Sequence, residues 1–448
     1  MPSFTKTSAM VRSLTAPISY WSPRGRLAAG LIAIAICISR AIFVVAHSES
    51  VFVAGDARFY LGIAIGDYSQ VMQPFASRQL GALIVAALMH GLHWTVERGF
   101  LVEGGVSLVF MLAVIYFLVL RTTAPRWMLF AIGLVPFWAF LLQNLVLPDL
   151  WYSALLAVMF LMLAGEHMLG AALMMFPLML SRESTSLTLI CFLIATWGWL
   201  RWRDRIVAVV SAVAGAVIVG HLAARAQSNL ENLPQSVYMV AKVPWNFMRN
   251  VVGIVPWSNV NPQFCTVPIW TIPVHFGPVH AIGACGFSSA GWMQMTQAIL
   301  TNFGLLPLLA AYLWWRRRTC TTRNVLLRFT LLYGIVSLLL APTLGTWFVR
   351  LVGYGWPLFF VALPLMFTGF SETSPTGSRA AAAMGFFGTH LILFYVAYRW
   401  FWMVQISLDL VLWAIGFLLL RHWFSEGYQT LDELRINHHG GTEANSTC

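Results

Sequence analysis

The sequence predicts an all-α fold: a polytopic membrane helical bundle of about twelve transmembrane helices plus one juxtamembrane helix on the outer side. Three observations predict it. The 448-residue chain is 59% hydrophobic and only 10% charged, with a mean hydropathy of +0.75, whereas soluble domains carry about 25% charged residues. Apolar runs of about 20 residues recur from end to end, each long enough to cross roughly 30 Å of hydrocarbon as a helix. No stretch shows the ten-residue alternation of an outer-membrane barrel strand.

The elements follow in order. Arg24 and Arg26 precede an apolar stretch from Leu27 to about Ala46. It is too long for a signal-peptide core, and no small-residue cleavage site follows it. It reads as a retained first helix over 27–47, behind a cytoplasmic N-terminus, 1–26. Further spans are expected over 100–120, 127–146, 150–164, 168–181, 185–200 and 206–223. After a long loop come 295–315, 325–341, 347–369, 380–398 and 401–420. The run 80–92, LGALIVAALMHGL, is apolar for too few residues to cross and reads as a surface helix. Charge supports that choice. With 80–92 on the surface, 17 of the 27 Lys and Arg fall on the cytoplasmic side. If 80–92 crossed, Arg201, Arg203, Arg205 and the basic cluster Arg316–Arg328 would move outside, against the positive-inside rule.

Two sizeable segments then lie outside. One is 48–99, within the membrane module 27–223. The other is 224–294, rich in Pro and Trp and expected to hold little regular structure; a loop of this length is usually functional. The C-terminal helices occupy 295–420, and 421–448 is a polar cytoplasmic tail. Cys37 and Cys191 read as small apolar residues inside helices. Cys265 and Cys285 share the outer loop, where an oxidising compartment allows a disulfide.

The net charge is +11. On a soluble protein that balance would suggest nucleic acid. Here the basic residues sit in short loops, where they fix topology and face anionic lipid, so the expected partner is the bilayer and no nucleic acid.

Charge is expensive in hydrocarbon, so ionisable groups beside membrane helices are functional candidates. They crowd the outer side: Arg40, Asp56, Arg58, Asp67, Arg78, Arg98, Asp149, Arg182, Glu183, Arg225, Lys242, Arg249 and Arg350. This one-sided crowd fits a reaction at the outer interface better than a permeation path. Asp56, in GDARFY, and Asp149, in LPDLW, could share a site, one as a base and the other as an orienting group. A loop aspartate also serves as a helix cap or turn residue. Arg350, in FVRLVGYGWPLF, could hold a phosphate by paired hydrogen bonds or simply snorkel. Arg40 could snorkel too, or pair with Asp56. Arg182 and Glu183 read as an exposed pair. No HExxH, CxxC, GxxxxGK[ST] or usable GxGxxG occurs, so metal-hydrolase, P-loop and dinucleotide chemistry are not expected.

The order and spacing of these residues resemble the GT-C glycosyltransferases, polytopic enzymes that use polyprenyl-phosphate sugars, such as the aminoarabinose transferases and protein O-mannosyltransferases. The resemblance covers roughly residues 27–205, with an echo at 345–364. An Arg in the outer first helix, then an Asp followed four residues on by Tyr, match Arg40, Asp56 and Tyr60. The juxtamembrane helix is preceded by Pro74 and Arg78, in an order that differs from the family's. A basic turn, RTTAPRW, precedes a helix closed by Asp149. Arg350, Tyr354 and Pro357 match a late Arg followed by aromatics and proline. Ala57 stands where the family often has a second acid, and 224–294 matches none of its segments.

The resemblance implies inverting sugar transfer from a polyprenyl-phosphate donor to a cell-envelope or lipid-linked acceptor. The site would lie on the outer face of a bacterial inner (plasma) membrane. It implies Asp56 as the catalytic base and no cofactor or metal. Arg350 leads the donor-binding cations, followed by Arg225, Lys242 and Arg249; Arg40, Arg58, Tyr60, Arg78 and Asp149 complete the candidate set. A polysaccharide polymerase or ligase, leaning on the loop arginines, and a twelve-helix secondary transporter are the alternatives. A transporter would show a repeat and polar mid-membrane residues, and neither is visible.

Overall fold

A computed structural model of the chain describes residues 18–46, 55–135, 137–227, 235–260, 265–304, 306–316, 324–345 and 347–367. The expected spans 380–398 and 401–420 and the tail 421–448 lie outside the described residues.

The first helix, α1 (Pro23–Ala46), runs over the first apolar stretch. Two shorter helices, α2 (Ala57–Ile65) and α3 (Leu80–Leu92), follow. At about 1.5 Å per residue, α3 reaches only about 20 Å, short of a bilayer. It packs on α4 (Val96–Val119) at Gly99, where a Cβ would lie 2.7 Å from the Val85 side chain. Thr95 caps α4 by accepting from the Arg98 amide.

The expected span 127–146 is two helices, α5 (Trp127–Leu134) and α6 (Phe137–Gln143). Val135 between them is extended (φ −66°, ψ 146°). The sequence explains the break: residue 136 is proline, which disfavours helical backbone in the residue before it. Next come α7 (Pro148–Ala164), α8 (Met168–Leu173), α9 (Met175–Ser181), α10 (Thr185–Ala195) and α11 (Trp202–Ala223).

The segment 224–294 departs from expectation. It holds α12 (Gln235–Phe247) and a three-stranded antiparallel sheet of β1 (Ile254–Ser258), β2 (Trp270–Phe276) and β3 (Val279–Phe287). Strand order is β1-β3-β2, with Ile254 opposite Phe287 and Ile272 opposite Ile282. The expected disulfide is present, joining Cys265 to Cys285 across a Cα–Cα distance of 6.1 Å. Among the described residues the fold is therefore predominantly helical, with one small sheet between Ile254 and Phe287.

The chain continues through α13 (Ala290–Phe303), α14 (Leu306–Arg316), α15 (Val325–Leu344) and α16 (Phe348–Gly353). A π-helical turn (Leu358–Ala362) then leads to α17 (Leu363–Met366). Gly334 lets α15 meet that turn, because a Cβ there would stand 2.5 Å from the Leu358 side chain. Aromatic rings fill the centre: Trp138 stacks on Phe360 at 5.0 Å, and Phe303 lies 4.3 Å from Phe359.

Among the described residues, four helical stretches are long and apolar enough to cross a membrane: 96–119, 202–223, 325–344 and 348–366. The outward faces of 202–223 and 325–344 are apolar too. Val217 is 66% exposed and Leu339 70%, as lipid-facing positions must be where the surrounding solvent is hydrocarbon.

Candidate active site

Asp56 occupies the N-cap position of α2, yet its side chain makes no capping hydrogen bond. The carboxylate is used elsewhere: Arg350 Nη1 donates to Asp56 Oδ2 at 3.3 Å. Asp149 lies in the first turn of α7, directly after Pro148, where the helix dipole favours negative charge. Both of its oxygens are engaged. Arg350 Nε donates to Oδ2 at 2.7 Å. Arg182 Nη1 and the Tyr354 hydroxyl both donate to Oδ1. Arg350 and Tyr354 reach one carboxylate because residues four apart share a helix face. Arg182, at the end of α9, lays its guanidinium over the Tyr354 ring at 4.2 Å.

A second knot sits beside the first. Arg78 grips Glu183 with two hydrogen bonds, Nε to Oε2 at 2.9 Å and Nη2 to Oε1 at 2.5 Å. Its Nη1 donates to the Tyr60 hydroxyl at 3.2 Å. Tyr60 is one helical turn beyond Asp56 on α2, so α2 contributes to both knots. Arg182 and Glu183 are thus no exposed pair. Arg182 is buried, Glu183 is half-buried, and each side chain bonds a distant partner. Adjacency in sequence suggested pairing with each other, and tertiary packing chose otherwise.

The electrostatics follow from this packing. Burial alone would raise Glu183, but the charge and hydrogen bonds of Arg78, with Arg182 behind them, hold its carboxyl well below the usual range. Burial, with Arg78 and Arg350 adding to it against the pull of Asp149, brings Arg182 down to about 10. Lys242 on α12 is half-buried beside the same groups. Burial, then the charge of Arg78 and with it Arg182 and Arg350, lowers its ammonium against the opposing Glu183. Four cations, Arg78, Arg182, Arg350 and Lys242, therefore surround three acids, Asp56, Asp149 and Glu183. Among the described residues, the buried Arg350 Nη2 and Arg182 Nε have no hydrogen-bond partner.

The structure brings together Asp56, Tyr60, Arg78, Asp149 and Arg350, with Lys242 within electrostatic reach. It leaves others out. Arg58 is exposed over the Phe59 ring at 4.8 Å. Arg225 is exposed beyond α11, where its charge acts on Tyr68. Arg249 is half-buried in the π-helical turn Met248–Val252 next to the sheet. Arg40 lies in α1, but its side chain is outside the described part of the structure. Arg182, Glu183 and Tyr354 complete the cluster. The signal for the first two was simply their charge between two apolar runs.

No protein-family model matches the chain, and no curated protein matches it. Among solved structures, ArnT from Cupriavidus metallidurans bound to undecaprenyl phosphate is similar, with 11% identity and a TM-score of 0.46, over 86% of this chain and 75% of that chain.

Proposed function

We propose that the protein is an inverting glycosyltransferase, moving a sugar from a polyprenyl-phosphate donor to a hydroxyl of a cell-envelope or lipid-linked acceptor at the outer membrane face. The observation that carries this reading is the contrast between two carboxylates on one arginine. Asp149 is 5% exposed and bound at both oxygens, so it orients cations and has no oxygen left to take a proton. Asp56 is 28% exposed and holds Arg350 through Oδ2, which leaves a carboxylate able to reach an acceptor hydroxyl.

In the reaction, Asp56 takes the proton of the acceptor hydroxyl as that oxygen bonds to the anomeric carbon. The bond from this carbon to the phosphate oxygen breaks, and its electron pair leaves with the polyprenyl phosphate. Attack opposite the leaving group inverts the configuration. The partnerless nitrogens of Arg350 and Arg182 suit a phosphate oxygen, since a buried unpaired donor costs about 1–3 kcal/mol until satisfied. Fixed cations are most effective where negative charge develops. Lys242 adds charge from α12. A lipid-linked donor also accounts for so apolar a chain, because the substrate partitions into the membrane. The outer-face assignment rests on the basic residues gathered at the opposite ends of the helices.

The test is transfer of radiolabelled sugar from a polyprenyl-phosphate donor in membranes carrying the protein. Label moving from the lipid to a water-soluble or larger lipid-linked product supports the proposal. Donor that stays intact across the polyprenyl-phosphate sugars overturns it.

A further inference from the structure

From Arg249 to Arg316 the chain has no Lys, Arg, Asp or Glu between those two arginines. The stretch includes the whole outer-loop sheet, which is not a membrane span. A sheet bathed in water normally carries charge on its open face, and an apolar edge strand there invites aggregation. Here β2 is an edge strand, and its region is apolar and open. Val267 is 78%, Ile269 74% and Phe287 74% exposed, with Trp270 and Ile272 exposed beside them. Ile272 pairs with Ile282, also exposed, so the patch continues across two strands.

Both ends of the sheet are tied at the level where a spanning helix ends. Asn250, just before β1, donates to the carbonyls of Pro342 at 2.7 Å and Gly345 at 2.9 Å, at the C-terminal end of α15. Gly291, just after β3, packs on the Asn250 backbone, where a Cβ would come within 2.7 Å of its Cα. The sheet thus starts and finishes beside the C-terminal end of α15, and it carries or adjoins Trp257, Trp270 and Trp292, a residue type enriched at bilayer interfaces.

We infer that the disulfide-braced sheet is an interfacial element that keeps the open backbone edge of β2 at headgroup depth while its apolar side chains, Val267, Ile269, Trp270, Ile272, Ile282 and Phe287, dip into the outer leaflet. Its occupant is lipid. An uncharged surface offers a protein partner no ion pairs to set register or specificity, whereas lipid needs none. The sheet also begins at Asn250, bonded to the end of α15, one of the helices long and apolar enough to cross a membrane.

The experiment places the photo-crosslinking residue p-benzoylphenylalanine at position 269, 287 or 67 of the full chain, reconstituted in phosphatidylethanolamine–phosphatidylglycerol vesicles. Asp67, exposed in the turn after α2, is the aqueous control. After irradiation, intact mass should show one-phospholipid adducts at 269 and 287, at least about tenfold above position 67, the ratio one large apolar side chain in lipid supports. Two results overturn the inference: lipid adducts no more frequent than at 67, or protein–protein adducts in their place, which would assign the patch to a second copy. The Cys265–Cys285 bond, read by thiol counting on the same samples, shows that the sheet is folded in each variant.

Discussion

Asp56 and Arg350 are 294 positions apart in the chain and meet at 3.3 Å, Arg350 Nη1 donating to Asp56 Oδ2. The same guanidinium holds Asp149 through Nε. One cation therefore fixes the separation between a half-open acid and a buried one. Substituting the two acids should separate their roles.

Asp149→Asn leaves Arg182 and Arg350 buried without their shared counter-charge. Removing one member of a buried ionic group typically costs about 3–5 kcal/mol. Thermal unfolding in detergent should show a large loss for Asp149→Asn. Asp56→Asn, part-exposed and joined by one long contact, should stay within about 1 kcal/mol of the parent. Equal losses would mean that Asp149 is not the structural anchor.

The Arg78–Glu183 knot sets an acid limb of stability. The Glu183 carboxyl is held below its ordinary value in the folded protein. Its contribution is fully present above the unfolded carboxylate range and is lost as pH falls through the lowered native value. Stability should therefore decline on acidification, and Glu183→Gln should be less stable at neutral pH with a flatter acid limb. Unfolding of both proteins across the acid range checks this, and parallel curves would exclude the knot.

Lys242 should give donor binding an alkaline limb. Its ammonium is lowered by burial and by Arg78, so it loses its proton at lower pH than an exposed lysine. Affinity for an anionic polyprenyl phosphate should weaken as pH rises through that range. Lys242→Arg should flatten the limb, because a guanidinium stays protonated. Identical profiles for lysine and arginine would remove Lys242 from phosphate binding.

The Cys265–Cys285 bond closes a loop of 20 positions, worth about 3 kcal/mol in the chain-entropy model. Protein isolated without reductant and then unfolded should show four reactive thiols from its six cysteines. Paired Cys265→Ser and Cys285→Ser changes should speed proteolysis within 254–287 and leave the helices protected. Six reactive thiols would exclude the bond.

Much of this was legible in the sequence. Long apolar runs marked α4, α11, α15 and the stretch 348–366, because a span needs length and hydropathy and little else. The shortness of the 80–92 run marked α3. Asp56, Asp149 and Arg350 stood out as charges beside apolar segments. The sheet did not. In TIPVHF the alternation is blurred by proline, and the register comes from β3, a partner that local pattern cannot supply. Arg182 and Glu183 were visible as charges but misleading as neighbours, since Asp149 and Arg78 reach them only through tertiary packing. Tyr354 reads in the sequence as an aromatic after Arg350, but its hydroxyl meets Asp149 only once packing fixes the helix phase.

The central claim is that Asp56 is the base. The most direct measurement is the initial rate of sugar transfer by Asp56→Asn, in membranes matched for protein level and for bound polyprenyl-phosphate donor. Asn keeps the size of Asp and a hydrogen-bond acceptor for Arg350, and removes the basic oxygen. A general base contributes about 10²–10⁴-fold, so transfer should fall at least about 100-fold while bound donor is unchanged. Transfer at close to the parent rate, with donor still bound, would contradict the account and place the base elsewhere.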